Sequence, residues 1–150
     1  MNDQKDTTNR LQIELHVPDF GPALEFYGKL GFKKVWMRQE HNVGDYLVME
    51  RDGTILNFWP GNDEVWSQSY FKRFSKDTKR GYGVEIVIPV DDIAAYYDQV
   101  KQFANVSSEL KLQPWGVKDF RIEDPFGFYL RITERHNILD PKFAVPKEER

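Results

Sequence analysis

The chain has 150 residues, of which 40% are hydrophobic and 30% charged, enough for one ordinary globular domain and too ordered in composition for a disordered one. A formal charge of −3 leaves no electrostatic footprint for nucleic acid, and no apolar run approaches a membrane span. The absence of cysteine excludes disulfides, thiolate metal sites and a cysteine nucleophile. It suits a reducing cytoplasm, as does a polar start from Met1 to Arg10 with no signal-peptide pattern.

Leu11 to Val17 alternate apolar and polar residues, which predicts a strand with two unlike faces: Ile13, Leu15 and Val17 on one, Gln12, Glu14 and His16 on the other. Asp19 then caps a helix with Pro22 in its first turn and Ala23, Leu24, Phe26, Tyr27 and Leu30 on its apolar side, and Gly31 ends it. Strands follow at Phe32 to Met37, Asp45 to Met49 and Thr54 to Pro60, the last two joined by a tight Asp52-Gly53 hairpin.

The same order then recurs. A strand around Val84, Ile86 and Ile88 precedes a helix opened by Asp91 and Asp92 and carrying Ile93, Ala94, Tyr97, Val100 and Phe103. Three strands near Ser107 to Leu112, Lys118 to Ile122 and Tyr129 to Thr133 complete it. One βαβββ unit used twice is expected within a single domain of residues 1–150. Its boundaries are a first module at 11–60, a loop-like connector at 61–81, a second module at 82–135 and an irregular tail at 136–150. The basic cluster Lys72, Arg73, Lys76, Lys79 and Arg80 reads as a solvated linker face, and Gly81-Tyr82-Gly83 as a strand entry.

Gln113-Pro114-Trp115-Gly116, then Asp124-Pro125-Phe126-Gly127 and Leu130-Arg131-Ile132-Thr133-Glu134, resemble the last hairpin of the bleomycin-resistance proteins, in the glyoxalase and vicinal-oxygen-chelate superfamily. Val17-Pro18-Asp19, Ala23-Leu24-Glu25-Phe26-Tyr27 and Leu30-Gly31-Phe32 resemble that superfamily's opening strand and helix. The resemblance implies an α+β fold in which two tandem βαβββ modules form a curved mixed sheet around a cleft. For the DPFG segment turn chemistry is explanation enough, Pro fixing the turn and Gly allowing positive φ.

Metal-dependent members of the superfamily place His or Glu at four positions, which by motif are Gln12, Asn57, Glu85 and Arg131 here. Only Glu85 is a good ligand; the amides are weak, and a guanidinium donates only and repels a cation. No metal and no other cofactor is therefore expected. The residues leave Arg131 three uses: an ion pair with Glu85, one with Glu14, or a grip on a ligand carboxylate or phosphate. Of the three histidines, His16 lies on the cleft-facing side of its strand, while His41 and His136 read as solvated.

Aromatic residues reach 15% of the chain, with four Trp, seven Tyr and eleven Phe. Most serve a core, and the remainder suit stacking and cation–π contacts. The expected function is a small-molecule-binding protein resembling the bleomycin-resistance branch, sequestering a flat polar or cationic ligand, an antibiotic among the options. The ligand-binding residues are Glu14, His16, Tyr46, Asn57, Trp59, Trp66, Glu85, Trp115, Tyr129 and Arg131, with no catalytic residue assigned. The resemblance further implies a homodimer, and the lack of cysteine suits a cytoplasmic one. Two alternatives stand beside this reading. One is an enzyme of the same superfamily, a lyase, isomerase or dioxygenase with a non-standard or metal-free site. The other is an interaction module using Trp36, Trp66 and Phe143 as a partner surface.

Overall fold

In the computed structural model of the chain, which describes residues 11–39, 45–60 and 63–144, the opening alternation becomes β1 (Ile13–Val17), with Leu15 and Val17 buried and Glu14 exposed. Asp19 caps α1 (Phe20–Lys29), its side chain accepting from the Gly21 N–H at 3.1 Å. Gly31 follows at φ 99°, the left-handed position that closes a helix C-terminus. Then come β2 (Lys33–Arg38), β3 (Tyr46–Arg51) and β4 (Thr54–Pro60). Asp52 and Gly53, at φ 50° and 78°, turn β3 into β4 with both central residues left-handed, as a two-residue hairpin requires.

The connector expected to be loop-like holds two short helical turns, α2 (Asp63–Ser67) and a 3₁₀ turn at Phe71–Arg73. Neither is long enough to display a 3.6-residue periodicity, so pattern reading passes over them. The second set of elements is β5 (Glu85–Val90), α3 (Ile93–Val100), β6 (Asn105–Leu112), β7 (Lys118–Glu123) and β8 (Tyr129–Glu134). The tail read as irregular ends in a 3₁₀ turn at Pro141–Ala144. Expected strand limits differ from these by one or two residues. His41, Asn62 and Pro146 lie outside the described residues.

Internal contacts divide the chain into two compact units, with the boundary between Thr78 and Lys79. Each holds one four-stranded mixed sheet, ordered β1-β4-β3-β2 in the first and β5-β8-β7-β6 in the second. The outer pair is parallel in both, β1 with β4 and β5 with β8, and the other pairs are antiparallel. The βαβββ repeat is thus present twice with one topology. No helix among the described residues is long and apolar enough to cross a membrane.

Strand alternation sends one face of each sheet to its helix. In the first unit Leu15, Val17, Leu47, Met49, Leu56 and Phe58 are buried, and Tyr27 of α1 packs tilted on Phe58 at 5.2 Å. In the second, Ile86, Ile88, Phe120, Ile122, Leu130 and Ile132 are buried, with Tyr97 of α3 on Phe120 at 4.9 Å. Each such side chain contributes about 1.5–3 kcal/mol by leaving water. These cores fix the sheets and so fix what stands on their other faces. The Asp124-to-Gly127 turn is built as its sequence implies: Asp124 Oδ1 accepts from the Phe126 and Phe128 N–H groups at 2.9 and 2.8 Å, and Gly127 sits at φ 94°.

Candidate functional site

In the first unit the face away from α1 is set by register. Glu14 pairs across with Asn57, Asn57 with Val48, and Val48 with Trp36; farther along the strands His16 pairs with Trp59, and Tyr46 with Arg38. Two groups of rings form along these rows. Trp36 stacks on Tyr46 with centroids 5.6 Å apart and planes 24° from parallel. His16 is wedged between Trp59 at 5.1 Å and Phe71 at 5.0 Å. The short connector turn thus supplies a wall of the site through Phe71, one of the aromatic residues the sequence offers for a binding rim. The Arg38 guanidinium lies 5.8 Å from the Trp36 ring centre.

Glu14 links the polar groups. It accepts from the Tyr46 hydroxyl at 2.6 Å and its other oxygen lies 3.4 Å from His16 Nε2. Burial first, then the hydrogen bond to Glu14 and its charge, push the Tyr46 phenol well above the ordinary tyrosine range, with Arg38 pulling the other way. The folded state therefore holds this proton more tightly than the unfolded chain. Its stability is intact below the ordinary tyrosine value of about 10 and falls as the pH rises through it. Urea midpoints are expected to decline from about pH 10 upward, and Tyr46→Phe should flatten the decline. An unchanged slope in that variant would place the alkaline loss elsewhere.

In the second unit the face away from α3 is guanidinium-rich. Its rows run Glu85, Tyr129, Glu123, Asn105; then Val87, Arg131, Arg121, Ser108; then Pro89, Thr133, Asp119, Lys111. The expected Glu85–Arg131 pair is not formed. Arg121 takes Glu85 instead, donating from Nε to its carboxylate at 2.7 Å and from Nη1 to Asp119 Oδ1 at 3.0 Å. Glu14, the other partner expected for Arg131, has its carboxylate engaged by Tyr46 and His16. Burial alone would lower the Arg121 pKa, but the hydrogen bond to Glu85 and the charges of Asp119 and Glu85 raise it. Arg131 stands directly opposite Arg121 in the register, and its Nε is buried without a hydrogen-bond partner.

Three expected residues remain, Trp66, Trp115 and Tyr129. Trp66 sits half-buried on α2 and makes no ring contact with the His16 cluster among the described residues. Trp115, at the turn whose Gly116 has φ 90°, lines a groove of about 790 Å³ in the second unit with the start of α3 and with His136 and Phe143 of the tail. Tyr129 borders a smaller hollow of about 230 Å³ with Lys79, Arg80 and Glu123.

The four positions that could have held a metal do not fit one. Gln12 Oε1 accepts from Asn57 Nδ2 at 2.8 Å, so the two amides satisfy each other, and Asn57 is buried. Glu85 is neutralised by Arg121, and Arg131 has only donors. Among the described residues no three of His, Asp and Glu gather as a metal site would require.

A family model described as Glyoxalase/Bleomycin resistance protein/Dioxygenase superfamily matches residues 10–132. No curated protein matches the sequence significantly. Among solved structures, a bleomycin-binding protein complexed with bleomycin aligns at 23% identity and a TM-score of 0.58, over 86% of this chain and 100% of that one. A bleomycin resistance determinant encoded on the transposon Tn5 aligns at 23% and 0.59, over 87% and 100%. TioX from Micromonospora sp. ML1 aligns at 15% and 0.64, over 84% and 98%. At such identities the likeness is one of fold.

Proposed function

Because the chain belongs to the glyoxalase/bleomycin resistance protein/dioxygenase superfamily, we propose that it is a binding protein that sequesters a flat, cationic small molecule on the far face of its first sheet, acting as a cytoplasmic homodimer. The observation that carries this reading is the joint presence of stacked rings and a carboxylate on that face. Trp36, Tyr46, Trp59 and His16 offer π surfaces, and Glu14 stands in the adjoining row. A cation over an aromatic face gains about 0.5–2 kcal/mol, more as water is excluded. Arg38, near the Trp36 ring, already uses that attraction within the chain.

Solved relatives of the fold include a bleomycin-binding protein, which makes metal-free bleomycin a natural probe beside simpler ones. The decisive comparison is proflavine, a flat tricyclic cation, against the neutral tricycle acridone. Proflavine is expected to quench tryptophan fluorescence and raise the melting temperature, with affinity at least about tenfold above acridone. Equal affinity, or no binding of either tricycle or of bleomycin, would remove the cation from the reading.

A further inference from the structure

We infer that the groove at the start of α3 is a second ligand site, one that takes a flat aromatic carboxylate, its ring against Trp115 and Phe143 and its head group met by Lys118 and Lys142. The inference does not rest on the aromatic face of the first sheet.

Alternation along three strands places this groove on the α3 side of the second sheet. Val90 follows buried Ile88 by two residues, Glu134 follows buried Ile132, and Lys118 precedes buried Phe120, so all three stand on the face that packs on α3. Val90 and Glu134 are partners in the register, and the Lys118 N–H donates to Glu134 Oε2 at 2.7 Å. At this row the core ends, and the start of α3, the Trp115 turn and the tail border about 790 Å³. That is room for a drug-sized ligand. It lies on the opposite face from Glu85 and Arg131, so it is separate from the positions that correspond to metal ligands elsewhere in the superfamily.

The lining is apolar at its base and aromatic at its sides. Val90, Ile93 and Val117 are buried. Phe143 meets the His136 ring edge-to-face at 5.2 Å, and His136 Nδ1 donates to the Glu134 carbonyl at 2.8 Å, because a carbonyl only accepts. The two tail rings are thereby tied to the end of β8. Trp115 keeps 36% of its surface open to solvent.

Charge selects the head group. Three carboxylates and three permanent cations line the groove, and they differ in what they already hold. Asp91 accepts from Arg135 Nε at 2.7 Å, Asp92 caps α3 by accepting from the Ala95 N–H at 3.3 Å, and Glu134 holds the Lys118 N–H. Each acid thus has an internal donor, and Arg135 is committed to Asp91. The Lys118 ammonium has no partner among the described residues. Lys142 lies 3.7 Å from Asp140 in a loose, exposed pair, with its Nζ 5.1 Å from the Phe143 ring centre. Two ammoniums are therefore the groups still able to turn to a ligand, and they favour an anion. The apolar base and the rings favour one with a flat hydrophobic body.

Indole-3-acetate, indole-3-acetamide and tryptamine share a ring and differ in head-group charge. Their affinities are read from the NMR amide shifts of Ile93, Gly116 and Val117, so binding to the first unit does not enter the measurement. Indole-3-acetate is expected to bind about tenfold more tightly than tryptamine and about threefold more tightly than the amide. Lys118→Gln combined with Lys142→Gln alters only exposed side chains and should bring the acetate down to the level of the amide. Lys118→Glu should reverse the order in favour of tryptamine. Trp115→Ala should weaken all three by about fivefold or more. No shift with indole-3-acetate up to about 20 mM, equal affinity of the three probes, or an unchanged preference in the double variant would each overturn the inference.

Discussion

Replacing Arg121 with methionine is expected to destabilise the protein by about 3–5 kcal/mol, whereas the same change at Arg131 should stay within about 1 kcal/mol of wild type. Both side chains are half-buried arginines on one face, directly opposite each other. They differ in what they leave behind. Without Arg121, Asp119 keeps only Gln113 as a donor while sealed from water, and Glu85 loses its partner. A stranded buried charge is what makes a broken ion pair expensive. Removing Arg131 strands nothing and relieves a like-charge contact across the ladder. Urea unfolding at constant m-value separates the two, and the expected melting shift for Arg121→Met is roughly 10 °C or more. The reverse ranking would mean that Glu85 relies on Arg131 in solution.

The second large effect concerns the aromatic face. Trp59→Ala is expected to weaken proflavine binding by about thirtyfold, corresponding to about 2 kcal/mol, because it removes both a stacking surface and the ring against which His16 is wedged. Trp66→Ala and Trp115→Ala serve as the comparison. Neither residue belongs to the ring cluster, and Trp115 lines a groove in the other unit, so each change should alter affinity by less than about twofold. Loss of binding in Trp115→Ala with Trp59→Ala unaffected would move the ligand to that groove.

How far this architecture could be read from the residues depended on how local each signal was. The Asp52-Gly53 hairpin, the Asp19 cap and the Asp124 turn are decided within four residues, and each formed as expected. Period-two alternation likewise placed Glu14, His16, Asn57 and Trp59 on one face. What stayed hidden needed register. Arg121 and Arg131 share a face by parity, and nothing in their spacing says which of them reaches Glu85. That choice depends on how three strands align and on where β6 slips against β7. The Gln113 bond to Asp119 was hidden for the same reason, because it spans the β6–β7 hairpin. The 3₁₀ turn that carries Phe71 was hidden differently: it is too short to leave a pattern, yet it closes on His16.

The sheet orders also carry a consequence for how the protein acquires its binding face. β1 lies at the end of its sheet and is hydrogen-bonded there only to β4, with Ile13 opposite Leu56, 43 positions later in the chain (56 − 13). β5 stands in the same relation to β8, with Glu85 opposite Tyr129, 44 positions on (129 − 85). During synthesis these strands emerge first in their units and wait longest for a partner, while the β3–β4 hairpin closes locally and early. Glu14 and His16 therefore take their places only when the last strand of the first unit docks, so the proposed affinity for a cation should appear in a nascent chain only once that unit is complete.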